Sequence, residues 1–372
     1  MANNTVIEIT PDQLIDYLVY EAYPARLAIG AVYIEGPPGI GKSACVRTAA
    51  NRIGQVHFGG RKQCEVYDYR LSQRDAMEVR GMPFVKPHPS GDAHKKMTGW
   101  TDSDIIPITD QPAIAFYDEF PTAVPLTQIA CLQVMDPACR RLGDAMLHPD
   151  TLVVAAGNGA TDRTVHHKLS TASKTRMVHL KMTVDVHKLM PDCIKYAVEH
   201  NYEPLIPAFW KFKADALYSF DGDAPTFPCL RTWEMMDKCL KQGANQPSLE
   251  LIKYASLIGD GAATEFYQFT KKYRKLPAIE DIVKNPTKVK FPSDDNGICY
   301  SLATTLALRA DPKTITPFFT FMDRLDKEYQ ILFVNMLSTR PPLMNGDEEW
   351  VPGDDEKTAT WLKNNEKMLT GG

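Results

Sequence analysis

The 372-residue chain has no run of about 18 apolar residues, so no segment reads as a bilayer-spanning helix. Its opening, Met1-Ala2-Asn3-Asn4, lacks a basic-then-apolar pattern, and no secretory leader is expected. An excess of positive charge is also missing. With 42 Lys and Arg against 46 Asp and Glu, the formal net charge is −4. That excludes a global basic footprint for nucleic acid and leaves room only for a local basic groove or pore. The eight cysteines (Cys45, Cys64, Cys131, Cys139, Cys193, Cys229, Cys239 and Cys299) are scattered, with no C-x-x-C. They read as thiols of a reducing compartment, which predicts a cytoplasmic protein without structural zinc or disulfides. His166-His167 is an adjacent pair, and no histidine lies at helical metal-ligand spacing to a partner. Internal repeats and low-complexity tracts are absent. The length exceeds one typical core, so two or three domains are expected.

What is present is concentrated in Gly36-Pro37-Pro38-Gly39-Ile40-Gly41-Lys42-Ser43, a complete G-x-x-x-x-G-K-[ST] loop. Before it, Ala31-Val32-Tyr33-Ile34-Glu35 is apolar and rich in β-formers. After it, Ala44 to Ala50 is Ala-rich and free of Gly and Pro. Strand, glycine turn and helix are the context in which backbone N–H groups and a helix N-terminus cradle an anion. Lys42 would then reach the β- and γ-phosphates, and Ser43 would ligate Mg²⁺.

Along the chain, Thr10-Pro11-Asp12 opens a helix predicted to run to about Tyr20. Cys64 to Arg70, Ala113 to Tyr117, Leu152 to Ala156 and Met177 to Leu180 read as further strands. Pro125 to Met135 reads as a helix with Leu126, Ile129, Ala130 and Val134 on one face. Near-continuous apolar strands alternating with helices predict a mostly parallel sheet covered on both sides. Residues 71–110 carry little periodicity and are long for a plain loop, so a functional insert with short elements of its own is expected. From about 185 the pattern becomes helical: 191–200, 204–218, 229–242, 247–258, 260–273, 299–309, 313–324 and 326–338. The charged, Pro-containing stretch 276–297 reads as a linker or a boundary between two helical pieces, and a short helix is expected near 355–368. Phe318, Phe319, Phe321, Leu325, Ile331, Leu332 and Phe333 read as core-facing stripes.

Two further elements carry chemistry. Asp118-Glu119 closes the apolar run Ala113 to Tyr117, and burying unpaired charge there would be costly without a function. Asp118 would hold Mg²⁺, directly or through water, and Glu119 would polarise the attacking water. Asn158 follows the strand Leu152 to Ala156, where a neutral amide can orient water and touch the γ-phosphate.

With these three strings in place, the chain resembles AAA+ ATPases: Gly36 to Ser43 as Walker A, Phe116-Tyr-Asp-Glu-Phe120 as Walker B, and Ala155-Ala-Gly-Asn-Gly159 as sensor 1. More narrowly it resembles the MoxR-like branch. Arg80-Gly-Met-Pro83 with Gly99-Trp100 is similar to that branch's segment between strands 2 and 3. Phe227-Pro-Cys-Leu-Arg-Thr-Trp233 is similar to its P-x-x-R-[ST]-W sensor 2. The resemblance spans about residues 10–275.

It implies an α/β fold: a P-loop NTPase module (residues 1–182) of parallel sheet flanked by helices, an all-helical lid (183–275) and a helical C-terminal extension with a polar tail (276–372). ATP and Mg²⁺ are the implied cofactors, with Gly36 to Ala44 and Asp118 binding nucleotide, and Ser43 and Asp118 holding the metal. Glu119, Asn158, Arg176 and Arg231 are the implied catalytic set. Arg231 would be sensor 2, and Arg176, before the strand that starts at Met177, a trans-acting arginine finger. Arg163, Lys174, Arg140 and Arg141 are basic alternatives, and Thr175-Arg176-Met177 departs from the usual D-R-F ending. A trans finger requires an oligomer, typically a hexameric ring. The implied partner is a client protein, often one with a von Willebrand factor A domain. Met82, Phe84, Val85 or the basic run His94-Lys95-Lys96 is expected near the ring axis or a partner surface, a solvated loop being the alternative. The second reading is a nucleic-acid-linked AAA+ motor of restriction or phage type, against which stand the acidic balance and the lack of aromatic–basic interleaving. A nucleotide-gated scaffold with little hydrolysis is disfavoured by Glu119.

Overall fold

In the computed structural model of the chain, the described residues are 6–92, 94–159, 167–243, 246–338, 340, 342–345 and 348–365. Contacts divide the chain into two units, Met1–Val184 and Asp185–Gly372.

The first unit is built on a six-stranded sheet. Its strands are β1 (Ile7–Ile9), β2 (Ala31–Glu35), β3 (Glu65–Arg70), β4 (Ala113–Asp118), β5 (Thr151–Gly157) and β6 (Met177–Met182). They lie in the order β1-β6-β2-β5-β4-β3, and every pairing is parallel. The central strands are those with continuous apolar runs. All seven residues of β5 are buried, and in β2 and β4 only the terminal Glu35 and Asp118 are half-buried. Side chains alternate between faces, so both faces must be covered. On one face Tyr33, Ala115, Tyr117, Val153 and Ala155 join Leu71, Val79, Ile105, Phe120 and Val134 in a core. On the other, Val32, Ile34, Ile114, Phe116, Leu152 and Val154 are equally buried. The edge strands β1 and β3 are more exposed, as their Glu, Asp and Arg content requires. The result is a parallel sheet flanked by helices, with β2 and β4 each adjacent to β5.

The first helix, Pro11–Asp16, has the expected Thr10 cap and continues as a π-helical segment, Tyr17–Ala22. Residues 71–110 hold a 3₁₀ turn (Leu71–Gln73), a helix (Ala76–Arg80) and an antiparallel hairpin (Pro83–Pro87 with Lys96–Trp100). The 125–135 helix is divided into Pro125–Ala130 and Leu132–Met135; Val134 is buried in the core with Ala130 packed against it, as expected, but the other two residues of the expected face are not. Leu126 is 70% and Ile129 53% exposed, whereas Thr127, Gln128 and Cys131 are buried. Burial of the two polar side chains is tolerated because each is bonded: Thr127 Oγ1 donates to Arg74 O at 3.2 Å, and Gln128 Nε2 to Ala123 O at 2.9 Å.

The second unit is mainly helical. Its helices are Val186–Glu199, Leu205–Phe212, Leu230–Lys241, Glu250–Ile258, Asp260–Tyr273, Ile279–Lys284, Asn296–Arg309, Ile315–Met322, Lys327–Ser338 and Glu356–Asn364. Trp233 anchors one aromatic cluster, with ring centroids 5.8 Å from Phe209 and 5.3 Å from Phe266, and its Nε1 donates to Ala216 O at 2.8 Å. The stretch 276–297 holds the helix Ile279–Lys284 with Ile282 buried, and Arg324 donates to Pro286 O and Val289 O at 2.8 Å each. The C-terminal region is helical as expected, and within it Leu343–Asn345 also pairs antiparallel with Glu348–Trp350. Phe318, Phe319, Phe321, Leu325 and Phe333 are buried as expected, while Ile331 and Leu332 are only half-buried. No helix among the described residues is long and apolar enough to cross a membrane.

Candidate nucleotide site

The carboxyl ends of β2, β5 and β4 lie side by side, since Glu35 pairs with Gly157 and Tyr117 with Ala155. Of the expected catalytic and nucleotide-binding residues of the first unit, all except Arg176 lie at or just after one of these three ends. After β2 the chain turns through Gly36–Gly41 into the helix Lys42–Phe58, whose N-cap Gly41 has φ 97° and no side-chain cap. Gly39 also has positive φ, 75°. An L side chain rarely adopts such angles, so these two glycines let the loop curl back over the helix start. Ile40 is fully buried and pins the loop's middle to the core.

Lys42 is 8% exposed, unusual for a lysine. Its ammonium donates to Gly36 O at 2.5 Å, Pro37 O at 3.0 Å and Asn158 Oδ1 at 3.0 Å. Lys42 and Asn158 are thereby brought together from 116 residues apart. Ser43 Oγ donates to Asp118 Oδ2 at 3.4 Å, and Asp118 Oδ1 accepts from the Glu119 N–H at 2.8 Å. Burial pushes the Asp118 carboxyl above the usual carboxylate range, opposed by that backbone hydrogen bond and by the Lys42 charge. Glu119 sits in the left-handed region, φ 58° and ψ 30°. For a non-glycine residue this is sparsely populated backbone of the kind that clusters at functional sites. Its Oε2 accepts a hydrogen bond from Ser72 Oγ, just beyond the end of β3.

The donor set fits a magnesium–polyphosphate group. A buried ammonium, a glycine loop at a helix start and a hydroxyl–carboxylate pair stand together. Among the described residues no cluster of three or more His, Cys, Asp or Glu could hold a metal alone. Mg²⁺ bound to nucleotide needs only one or two protein ligands, phosphate oxygens and water supplying the rest.

Arg176 is tied by Nε to Asp136 Oδ2 at 3.0 Å and by Nη1 to Ala172 O at 3.1 Å, and its side chain stays 35% exposed. Among its alternatives, Arg140 is buried, donating to Arg26 O at 2.8 Å and Thr151 O at 2.5 Å, so it serves the fold. Arg141 and Lys174 are exposed. Arg163 and His166 lie outside the described residues. Arg231 is exposed in the first turn of the helix Leu230–Lys241 in the second unit. Thr232 fixes that turn by accepting from Cys229 N at 3.0 Å, and Trp233 buries the opposite side. Met82, Phe84 and Val85 are 59%, 46% and 71% exposed on the hairpin. Ser72 and Asp136 were missed by sequence reasoning. Neither belongs to a motif, and only the fold brings them to Glu119 and Arg176.

No protein-family model matches the chain, and no curated protein matches it. Among solved structures, the chain is similar to the Thermotoga maritima RuvB Holliday junction branch migration motor. The identity is 12% over 94% of each chain, with a TM-score of 0.37. It is also similar to the replication initiator DnaA bound to AMPPCP and single-stranded DNA, at 14% identity over 97% of this chain and 94% of that one, TM-score 0.35. NtrX from Brucella abortus in complex with ATP is 11% identical over 90% of this chain and 69% of its own, TM-score 0.36. These are likenesses of general chain path; the site is defined by the residues above.

Proposed function

We propose that this protein is an AAA+-type ATPase of the MoxR-like kind, which assembles into a ring and couples ATP hydrolysis to the remodelling or activation of a client protein. The convergence of Lys42, Ser43, Asp118, Glu119 and Asn158 on three neighbouring strand ends is the observation that carries the reading. ATP–Mg²⁺ supplies the phosphoanhydride and the charge that polarises it. The Gly36–Gly41 loop and Lys42 hold the phosphates, and Ser43 and Asp118 hold the metal. Glu119 takes the proton of the attacking water, and Asn158 orients that water. Arg231 takes the sensor 2 role, and Arg176 acts from a neighbouring copy. In this division residues 1–182 are the motor, 183–275 the lid and 276–372 an extension for docking. A protein with a von Willebrand factor A domain is the expected partner, and the cytoplasm the expected compartment.

The test is ATP turnover and ATP binding by the full chain. Lys42→Ala should abolish binding. Glu119→Gln should keep binding and lose about 10²–10⁴-fold in turnover, the usual contribution of a general base. Parental turnover in either variant refutes the reading. Mass measurement by light scattering with and without ATP tests the ring, and strong, salt-sensitive stimulation by DNA would favour the nucleic-acid motor instead.

A further inference from the structure

Arg176 is held more firmly than a surface arginine needs to be. Asp136, which follows the helix Leu132–Met135, opens a tight turn: its main-chain oxygen accepts from the N–H groups of Cys139 and Arg140 at 3.0 Å each. Its Oδ1 accepts from Ala138 N at 3.0 Å, which fixes the carboxylate, and its Oδ2 accepts from Arg176 Nε. The Ala138 N–H and the Arg176 guanidinium together hold the Asp136 carboxyl below the usual range, so it is ionised at neutral pH. The Ala172 carbonyl takes Nη1. Two of the three guanidinium nitrogens thus have fixed acceptors, and no hydrogen bond reaches Nη2 among the described residues.

The main chain is fixed as well. Arg176 N donates to Ser173 O, and Arg176 O accepts from Ala31 N, both at 3.1 Å. Gly30 makes the approach possible. A Cβ there would lie 1.9 Å from Arg176 O and 2.9 Å from Met135 O, so only glycine lets the end of the Leu132–Met135 helix and the start of β6 meet. An ion pair this open to solvent stabilises a fold little. What the contact supplies is direction: an arginine with preset Nε and Nη1 loses less side-chain freedom when its remaining edge meets an anion.

We propose that Asp136 is the positioning residue of Arg176, presenting the Nη2 edge of its guanidinium to the nucleotide bound by a second copy of this chain. The proposal rests on the finger reading of Arg176 given above. The test uses full-length protein and ATP turnover with Arg176→Ala, Asp136→Asn, Asp136→Ala and the double variant Asp136→Asn/Arg176→Ala. Asp136→Asn keeps the shape and an acceptor for Ala138 N, so it guards against a misfolded Asp136→Ala. Arg176→Ala should lower kcat by about 10³-fold or more. Asp136→Asn should lower kcat by about 10- to 100-fold, the cost of a misplaced catalytic group, with KM for ATP and ATP-dependent mass unchanged. The double variant should be no worse than Arg176→Ala alone. Mixing Asp136→Asn with excess Lys42→Ala, whose Arg176 is intact, should restore turnover per competent site. Parental kcat in Asp136→Asn beside a crippled Arg176→Ala overturns the proposal and leaves the finger reading standing. Parental kcat in Arg176→Ala overturns both. Additive losses, or no rescue on mixing, place the Asp136 defect in cis and also overturn the proposal.

Discussion

Gly157→Ala should damage catalysis more than its size suggests. Gly157 ends β5 and is fully covered, its oxygen accepting from Gly36 N at 3.1 Å. A Cβ at this position would lie 2.2 Å from Pro121 Cδ, 2.4 Å from Pro121 Cγ and 2.9 Å from Tyr33 Oη. Carbon atoms in contact rest about 3.5 Å apart, so the ring or the strand must yield by roughly 1.3 Å. Pro121 cannot rotate away: its ring is part of the 3₁₀ turn Phe120–Thr122, and Phe120 is itself fully buried. Glu119 is the N-cap of that turn and directly follows Asp118, so the displacement passes to both carboxylates. Overpacking of this kind costs about 1–3 kcal/mol of stability. A shift of about 1 Å at a catalytic group costs on the order of 10²-fold in rate. Steady-state ATP turnover and denaturant unfolding of the same preparation read the two effects separately. Gly261→Ala is the control. It lies in the helix Asp260–Tyr273 with nothing within 4 Å of its Cβ position, and it should gain about 0.5–1 kcal/mol and leave turnover alone. Parental turnover and stability in Gly157→Ala would refute the contact between Pro121 and β5 and the placement of Glu119 that depends on it.

Asp118 gives a pH prediction. Burial raises its pKa in the folded chain above the unfolded value of about 3.9, so the folded state holds that proton more tightly. Its stabilising contribution is full below the unfolded pKa and is lost as pH rises through the folded one. Asp118→Asn should therefore be more stable than the parent at neutral pH without nucleotide. The gap should close toward pH ~4, and stabilisation by ATP–Mg²⁺ should be lost. Thermal unfolding across pH checks this, and a less stable variant at neutral pH contradicts it. Ser72→Ala removes the hydroxyl that occupies Glu119 Oε2. Freeing the carboxylate for water should raise basal turnover by roughly fivefold, one hydrogen bond of about 1 kcal/mol, with ATP binding unchanged; a fall in turnover would instead make Ser72 an orienting group for Glu119.

The sheet and the phosphate loop were legible because their signals are local. A strand buried on both faces must be apolar throughout, and β2, β4 and β5 are; the loop's glycines are required by backbone angles that no neighbour decides. The inward face of Pro125–Ala130 does not follow its apolar pattern, because burial there is decided by hydrogen bonding. Thr127 and Gln128 go inside because carbonyls at Arg74 and Ala123 await them, and neither carbonyl's position is written in the helix's own sequence. Ser72 and Asp136 follow the same logic at the site. A serine past a strand and an aspartate after a helix are ordinary residues until the parallel sheet sets β3 beside β4, with Arg70 opposite Asp118, and until Gly30 lets β6 approach the Leu132–Met135 helix. Residues that contact phosphate or metal must be of particular chemical types in a particular spacing, and so they leave a motif. Residues that aim those groups need only one oxygen at the right point, which many types and positions can supply. The phosphate loop and the Asp118-Glu119 pair could therefore be found from the chain alone, whereas the groups that contact Glu119 and Arg176 emerge only when the strands are in register.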